Sequence, residues 1–262
     1  MFKSWNIKYP EYEIICPQTK LSFTLKSLNV SEEERMKSSL LTNQRILEHL
    51  NKCIFDNLVK KPENVSDYDS FLKNVTIRDR EALLYGLYHI TYEDIRNYSI
   101  ECPKCSKKYN INIKASESFN FNMYKGKDNI IEKRVKKDLK SSPGISVYIK
   151  QPTLWDEVHY KSKLVYKSDE LFQETLIIDK FEQDIPDHKN SATYNDRQDI
   201  IYAYMELPAR DKRLIYETYL EEFGKYEVSM KMKTICTNPK CSQEDIVTID
   251  LVEQFFRMVY TS

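Results

Sequence analysis

The chain has 262 residues, of which 41% are apolar and 31% charged, so it can bury one large core or two of ordinary size and is not disordered as a whole. Its 40 basic and 40 acidic residues cancel, which argues against a dedicated nucleic-acid binder, because such proteins usually carry a marked basic excess. Only four glycines occur, and the sequence contains no glycine-rich phosphate loop of the P-loop or Rossmann type.

The N-terminal segment Met1-Phe2-Lys3-Ser4-Trp5 leads into polar sequence and not into the apolar core of a signal peptide. No apolar run in the chain approaches the length that spans a bilayer. We therefore expect a soluble protein of a reducing cytoplasm, where paired cysteines are more often metal ligands than disulfides.

The first half of the chain predicts a strand, two helices, a polar loop and a further helix before a cysteine pair. Leu21–Leu25 alternates apolar and polar residues as a strand does. Ser31–Glu34 fits a capping box at a helix start, and Thr76–Asp79 fits a looser version with Asp in place of Glu. Three tyrosines at helical spacing form either a half-buried helix face or a partner surface, and the sequence does not decide between these: Tyr85, Tyr88 and Tyr92.

Residues 125–144 are rich in basic side chains and separate two stretches of similar pattern. Asp128, Glu132 and Asp138 are interleaved with the basic residues, and the stretch ends at Ser141-Ser142-Pro143-Gly144. We interpret it as a solvated basic connector in preference to a patch for phosphate or an acidic partner. Its basic residues are Lys125, Lys127, Lys133, Arg134, Lys136, Lys137 and Lys140.

The second half repeats the order of elements in the first. Val147–Lys150 reads as a strand, Thr153–Asp156 as a loose capping box, and Pro208 suits a first helical turn. Arg210–Ile215 also resembles Arg78–Leu83 in its charge pattern. We therefore predict an α+β fold, mainly helical, made of two similar tandem halves over residues 1–124 and 145–262.

Two cysteine pairs close the two predicted halves. They are Cys102-Pro103-Lys104-Cys105 and Cys236-Thr237-Asn238-Pro239-Lys240-Cys241, each flanked by alternating apolar residues. Each has the spacing of a zinc knuckle, and four thiolates around one metal make a closed, structural site without an open catalytic position. We therefore expect a zinc-ribbon-like site that joins the halves, with structural Zn²⁺ bound by Cys102, Cys105, Cys236 and Cys241.

Other roles for the cysteines have less support in the sequence. A redox dithiol needs a βαβ context that is missing here, although the pairs could instead find ligands in another subunit, or one site could have decayed. His49 and Cys53 lie four residues apart on a predicted helix, so they could share a face. We interpret His49, Cys53 and Cys16 as structural residues.

No catalytic set emerges from the sequence. His89, His159 and His188 stand in unrelated contexts, outside any HExxH or nucleophile motif. Acidic clusters such as Glu32-Glu33-Glu34 read as helix-end or surface charges. We therefore predict a protein that is not an enzyme and that has no catalytic or organic-cofactor-binding residues.

With these residues assembled, the chain resembles the T4-type phage baseplate protein family. The resemblance rests on Leu21–Glu34, on Asp79–Leu84, on Tyr92–Ile95 and on the knuckle Ile100–Cys105 followed by Tyr109–Ile113. It implies a role in assembly of the tail baseplate hub, other tail or baseplate proteins as partners, and synthesis in the cytoplasm of the infected host. The finished virion tail is a second location that the resemblance allows.

Our functional interpretation is a non-enzymatic hub assembly factor or component that presents rigid helical faces to tail subunits. A zinc-ribbon nucleic-acid binder of the transcription-factor type is the first alternative, based on lysines near the knuckles, although the balanced charge argues against nucleic acid. An enzyme with a site of scattered polar residues is the second. The lysines concerned are Lys104, Lys107, Lys108 and Lys240.

Overall fold

The computed structural model describes residues 7–41, 46–92, 95–114, 119–163, 169–184 and 192–249. The chain divides into two compact units. The first unit comprises Met1–Glu63, Asp79–Asn122 and Glu227–Ser262, and the second comprises Asn64–Arg78 and Met123–Tyr226. Within the described ranges, no helix has both the length and the apolar character needed to cross a membrane.

Helices and strands both contribute substantially to the described chain. The α-helices are α1 (Val30–Leu41), α2 (Ile46–Asp56), α3 (Tyr68–Asn74), α4 (Ile77–Thr91), α5 (Leu154–Lys163), α6 (Asp169–Leu176), α7 (Arg197–Glu206) and α8 (Ala209–Tyr219), and a π-helical turn follows at Leu220–Gly224. The strands are β1 (Glu11–Ile15), β2 (Ser22–Lys26), β3 (Leu58–Lys60), β4 (Ile95–Glu101), β5 (Lys108–Lys114), β6 (Phe119–Phe121), β7 (Arg134–Asp138), β8 (Ile145–Lys150), β9 (Ile178–Gln183), β10 (Ala192–Tyr194), β11 (Val228–Ile235) and β12 (Glu244–Ile249).

The first unit contains an antiparallel sheet in the order β1-β2-β3, the β4–β5 hairpin, and a sheet in the order β12-β11-β6. Helix α4 lies close to the first sheet, since a Cβ on Gly86 would lie 2.9 Å from Leu25 Cδ1. Tyr85 and Tyr88 are buried, which favours the interpretation of these tyrosines as an inward helix face. Fully buried side chains come from β2, α2 and α4: Phe23, Leu25, Leu50, Ile54, Leu83, Leu84 and Leu87.

The second unit is built on an antiparallel sheet in the order β10-β9-β8-β7, with helices α3 and α5–α8. Strand β7 occupies part of the expected basic connector and pairs with β8 from Arg134↔Lys150 to Asp138↔Ser146. Apolar residues of the sheet, of α7 and α8 and of the π-helical turn share one core that includes Val147, Ile149, Phe181, Ile200, Tyr204, Ile215 and Phe223.

The two sheets that contain β2 and β8 share a detail of register. The pairing of β2 with β3 shifts between Thr24 and Leu25, and the pairing of β8 with β9 shifts between Tyr148 and Ile149. Both β2 and β8 end at a lysine whose backbone N–H donates to the residue just before the neighbouring strand. Lys26 donates to Asn57 O, before β3, and Lys150 donates to Ile177 O, before β9. The division into two similar halves remains a prediction.

The prediction of a mainly helical fold is wrong. Of the residues that the structure describes, 39% are helical and 29% are in strands, which form four sheets. Several strands are short or polar, such as β7 with the sequence RVKKD, so their intrinsic preference is weak and cross-strand pairing decides their conformation. The two cysteine-bearing hairpins also belong to separate sheets, so the structure does not show the expected zinc ribbon.

The predicted helix caps are partly correct. Thr153 and Asp156 form the predicted reciprocal cap of α5, with backbone N–H donors at 2.9 and 3.3 Å from the partner side-chain oxygens. At α1 the capping box is formed by Asn29 and Glu32, at 3.0 and 2.9 Å, and not by the predicted Ser31–Glu34. Both segments satisfy the sequence pattern, but the helix begins at Val30 and so makes Asn29 its N-cap.

Candidate metal centre

Two β-hairpins carry the four predicted ligands. The first cysteine hairpin is β4–β5, and its turn contains Cys102 and Cys105. The second cysteine hairpin is β11–β12, and its turn contains Cys236 and Cys241. In each hairpin the backbone N–H of the first cysteine donates across the turn, from Cys102 to Lys107 O at 3.0 Å and from Cys236 to Gln243 O at 2.9 Å.

Both turns end in a serine with left-handed backbone. Ser106 follows Cys105 with φ of 54°, and Ser242 follows Cys241 with φ of 45°. The backbone N–H of Ser106 donates to Cys102 O at 2.9 Å, and that of Ser242 donates to Asn238 O at 3.1 Å. A left-handed residue reverses the chain tightly after the second cysteine, so both thiols of a pair can face one point.

The four Sγ atoms lie in one compact cluster. Cys102 Sγ is 3.8 Å from Cys241 Sγ, and Cys105 Sγ is 3.6 Å from Cys236 Sγ. All four lie within 4.8 Å of one another. A tetrahedral metal with bonds of about 2.3 Å to sulfur requires sulfur–sulfur distances of about 3.8 Å. The cluster therefore could hold a metal ion, and its donor set fits a tetrahedral thiolate site.

Buried side chains fix the cysteine hairpins to each other. Tyr109 of β5 and Thr234 of β11 are both buried, and the Tyr109 hydroxyl donates to Thr234 Oγ1 at 3.2 Å. Ile100 and Ile111 pack against the cluster formed by Cys102, Tyr109 and Cys236. This packing places the second pair of thiols beside the first.

Asn238 connects the second turn to the thiols of both pairs. Its backbone N–H donates to Cys236 Sγ at 3.4 Å, and its side-chain amide donates to Cys105 Sγ at 3.6 Å. Its Oδ1 accepts from the backbone N–H of Lys240 at 3.1 Å, which orders the turn. Donors of this kind stabilise negative charge on sulfur.

The thiols of the cluster differ in acidity. The backbone N–H of Lys107, with the Asn238 amide, lowers the pKa of Cys105 to about 6. The Asn238 backbone N–H favours the Cys236 thiolate, but burial and the neighbouring thiols outweigh it and raise the pKa of Cys236 to about 11. Burial also raises the pKa of Cys241. Because like charges this close repel, a cation at their centre would offset the cost of ionising all four.

The other two cysteines lie in the interior of the first unit. Cys16 and Cys53 are both buried, and Asn57 Nδ2 lies 3.9 Å from Cys53 Sγ. Burial raises the pKa of Cys53 to about 12 and raises that of Cys16 as well. These thiols therefore remain protonated at neutral pH, as expected of structural cysteines.

Two of the histidines considered for catalysis, His89 and His159, lie among aromatic rings. The His89 ring is 4.9 Å from that of Tyr12 and 5.8 Å from that of Tyr85. The His159 ring stacks on Trp155 at 4.1 Å. His188 lies outside the described residues.

Sequence reasoning did not identify two buried carboxylates that join distant segments. Asp79 accepts from the backbone N–H of Gln18 at 2.8 Å and from the Thr19 hydroxyl at 2.7 Å. Asp211 accepts from the backbone N–H of Ser141 at 3.0 Å and from the Ser142 hydroxyl at 2.9 Å. The signal available in the sequence was the Arg-Asp pattern that both helix starts share.

Comparison with known proteins gave one family. A family model described as T4 bacteriophage base plate protein matches residues 9–257, which is nearly the whole chain. Neither the comparison with curated proteins nor that with solved structures gave a match.

Proposed function

Because the chain belongs to the T4 bacteriophage base plate protein family, we propose that it is a non-enzymatic component or assembly factor of the tail baseplate hub with a structural zinc site. The observation that carries this proposal is the family match over residues 9–257. A structural role in the baseplate follows from membership of this family. The assignment to the hub and the bound zinc ion are the further proposals. The partners are then other tail and baseplate proteins, met in the host cytoplasm during assembly.

Zinc is the metal that the donor set favours. Thiolates are soft ligands, whereas calcium and magnesium prefer oxygen donors, and an all-sulfur tetrahedral site is typical of structural zinc. When bound, zinc would cross-link the two cysteine hairpins and contribute folding free energy. The four residues that would hold it are Cys102, Cys105, Cys236 and Cys241.

The hairpins also support the proposal of two similar halves, residues 1–124 and 145–262, separated by residues 125–144. Cys102 and Cys236 are preceded by strands of similar length, and Asp79 and Asp211 make similar contacts from the first turn of a helix. A duplicated unit explains why each proposed half supplies one pair of ligands. On this proposal, zinc holds the ends of the two halves together.

A nucleic-acid-binding protein is the alternative that one observation favours. Lys104, Lys107, Lys108 and Lys240 are all exposed near the cysteine cluster. Phosphate contacts by such lysines would give binding that weakens steeply with salt. Fluorescence anisotropy with duplex DNA and with single-stranded RNA at low ionic strength distinguishes the two functions, because a baseplate protein should show no saturable binding.

An infection in which this chain is not produced tests the proposed function. We expect tails without complete baseplates in negative-stain electron micrographs, and restoration when the wild-type chain is supplied in trans. The Cys102→Ser variant should restore assembly poorly, whereas Cys53→Ala, which leaves the four ligands in place, should restore it. Normal baseplates in the absence of the chain would contradict the proposal.

A further inference from the structure

A groove opens in the second unit between the sheet and helix α7. Its cavity has a volume of about 390 Å³. Phe181 of β9 and Leu207 after α7 are buried, and Ile145 of β8 and Tyr194 of β10 pack against the same core. The remaining lining residues are Ser142, Gln183, Asp199, Tyr202, Ala203 and Glu206. We call this cavity the acidic groove.

One face of α7 forms a wall of the acidic groove. Asp199, Tyr202, Ala203 and Glu206 follow one another at the spacing of residues on a single helix face. Tyr202 is 58% exposed, which is unusual for a large aromatic side chain, and its hydroxyl accepts from Gln198 Nε2 at 3.0 Å. The wall therefore presents an apolar centre between two acidic residues, about 10 Å apart along the helix axis.

The charge of the acidic groove is unbalanced. Asp199 and Glu206 are exposed, and none of the described residues that line the groove is a lysine, an arginine or a histidine. Within the described part of the chain, none of the ion pairs uses either carboxylate. Elsewhere on the same unit exposed acids do pair, as Glu217 does with Arg213 at 2.7 Å. A neutral or acidic occupant would leave the two carboxylates without partners.

We propose that the acidic groove binds a segment of a partner protein in which a large apolar side chain lies between two basic residues. The apolar side chain would enter the cavity beside Phe181 and Ala203, and the basic residues would pair with Asp199 and Glu206. Burial of the apolar group supplies most of the binding free energy, and the two charges fix its register. The inference rests on the proposed function only in that the partner would be another protein of the tail.

A defined peptide tests the groove directly. The probe is the acetylated and amidated pentapeptide Lys-Ser-Phe-Ser-Lys, whose alternate side chains lie on one face when it is extended. In an NMR titration of the full ¹⁵N-labelled chain, we expect shifts of amides in α7, β8 and β9. The pentapeptide Glu-Ser-Phe-Ser-Glu should cause none of these shifts.

Two variants and one control locate the binding. Asp199→Asn combined with Glu206→Gln should weaken binding about fivefold, because the loss of two exposed charge pairs removes about 1 kcal/mol in total. Ala203→Arg, which places a long side chain over the cavity and cancels one of its two negative charges, should abolish binding. Glu217→Gln combined with Glu221→Gln removes the same charge outside the groove and should bind as the wild type does. If Ala203→Arg does not fold, the comparison between the two double charge variants tests the proposal by itself.

Three outcomes would overturn the inference: no binding of the basic peptide at millimolar concentration, equal binding of the acidic peptide, or equal loss in the control variant. Concentration-dependent dimerisation that Ala203→Arg abolishes would assign the groove to a second copy of the chain and would also overturn it. The titration measures peptide binding and not baseplate assembly. A negative result would therefore contradict the binding groove but not the proposed function, which the infection experiment tests separately.

Discussion

Tyr109 and Thr234 connect the two cysteine hairpins through a buried hydrogen bond of 3.2 Å, from the Tyr109 hydroxyl to Thr234 Oγ1. The bond joins strands that are 125 residues apart in the sequence. It acts next to the candidate ligands, since Tyr109 shares a buried cluster with Cys102 and Cys236. The position of the four thiols therefore depends on packing that is independent of any metal.

Tyr109→Phe removes this bond and keeps the aromatic ring. We expect a loss of about 1 kcal/mol in the free energy of unfolding, with the ligands unchanged. Zinc should still bind, but it should transfer faster to a chromogenic chelator, because the hairpins separate more readily. Tyr216→Phe, at a position that is 53% exposed, is the matched control and should release zinc at the wild-type rate. Equal rates in both variants would contradict the role of the bond.

Replacement of one ligand from each hairpin tests the shared site. Cys102→Ser and Cys236→Ser should each bind less than one equivalent of zinc by plasma mass spectrometry and unfold at a lower temperature than the wild type. The cause is the loss of one thiolate from a four-ligand site whose binding free energy is also folding free energy. Cys16→Ala controls for the number of thiols and should keep stoichiometric zinc. Stoichiometric zinc in both ligand variants would exclude a shared site.

Thiol labelling separates the two classes of cysteine. In the native protein at pH 7.5, iodoacetamide should spare Cys16 and Cys53, which are buried and have raised pKa values. After a chelator is added, the cluster should become reactive, beginning with Cys105, whose pKa is lowered to about 6. Mass spectrometry of peptides gives the order of labelling. Early modification of Cys53 in folded protein would show that its environment differs from the one described.

Alkaline pH should destabilise the first unit through Cys53. Its pKa rises from 9.0 to about 12 on folding, so the neutral thiol stabilises the folded state below pH 9, and this stability is lost as the pH rises toward 12. A single such group changes the free energy of unfolding by about 1.4 kcal/mol per pH unit in this range. Cys53→Ala should reduce the slope of stability against pH by that amount in urea titrations between pH 9 and 11. An unchanged slope would show that ionisation of Cys53 does not cause the loss of stability at alkaline pH.

Asp79→Ala and Asp211→Ala should be destabilising to a similar degree. Both carboxylates are fully buried, and each accepts from a backbone N–H and a hydroxyl of a distant loop. Truncation removes the acceptor of at least two hydrogen bonds in each case, at a cost of about 0.5–1.5 kcal/mol for each bond. Urea denaturation of the two variants measures the effect. Glu221→Ala, at an exposed site of the second unit, should change stability by less than about 0.5 kcal/mol.

Features set by near neighbours in the chain were predicted from the sequence. The strands at Leu21–Leu25 and Val147–Lys150 correspond to β2 and β8, and the cap formed by Thr153 and Asp156 is confirmed. Alternation and capping depend on residues a few positions apart, so a short window contains the information. The cap of α1 shows the limit: Asn29–Glu32 and Ser31–Glu34 both fit, and only the helix start selects one.

The amount of strand was underestimated because it depends on distant pairing. Strand β6 has three residues and is held by antiparallel pairing with β11, from Phe121↔Val228 to Phe119↔Met230. The acidic groove was missed for a similar reason. Asp199, Tyr202 and Glu206 read as ordinary surface residues of a helix until β8 and β9 supply the opposite wall.

The sequence by itself determined which groups could bind a metal, because a tight turn with two cysteines needs only local residues to present two thiols. It also determined the family, since the resemblance in its motifs extends to a match over residues 9–257. Only the tertiary structure decided that the two pairs meet within 4.8 Å, that Asp79 binds a loop 60 residues away, and that as much as 29% of the described chain is in strands. Long-range packing and hydrogen bonding fix these features, and no window of the sequence contains both partners.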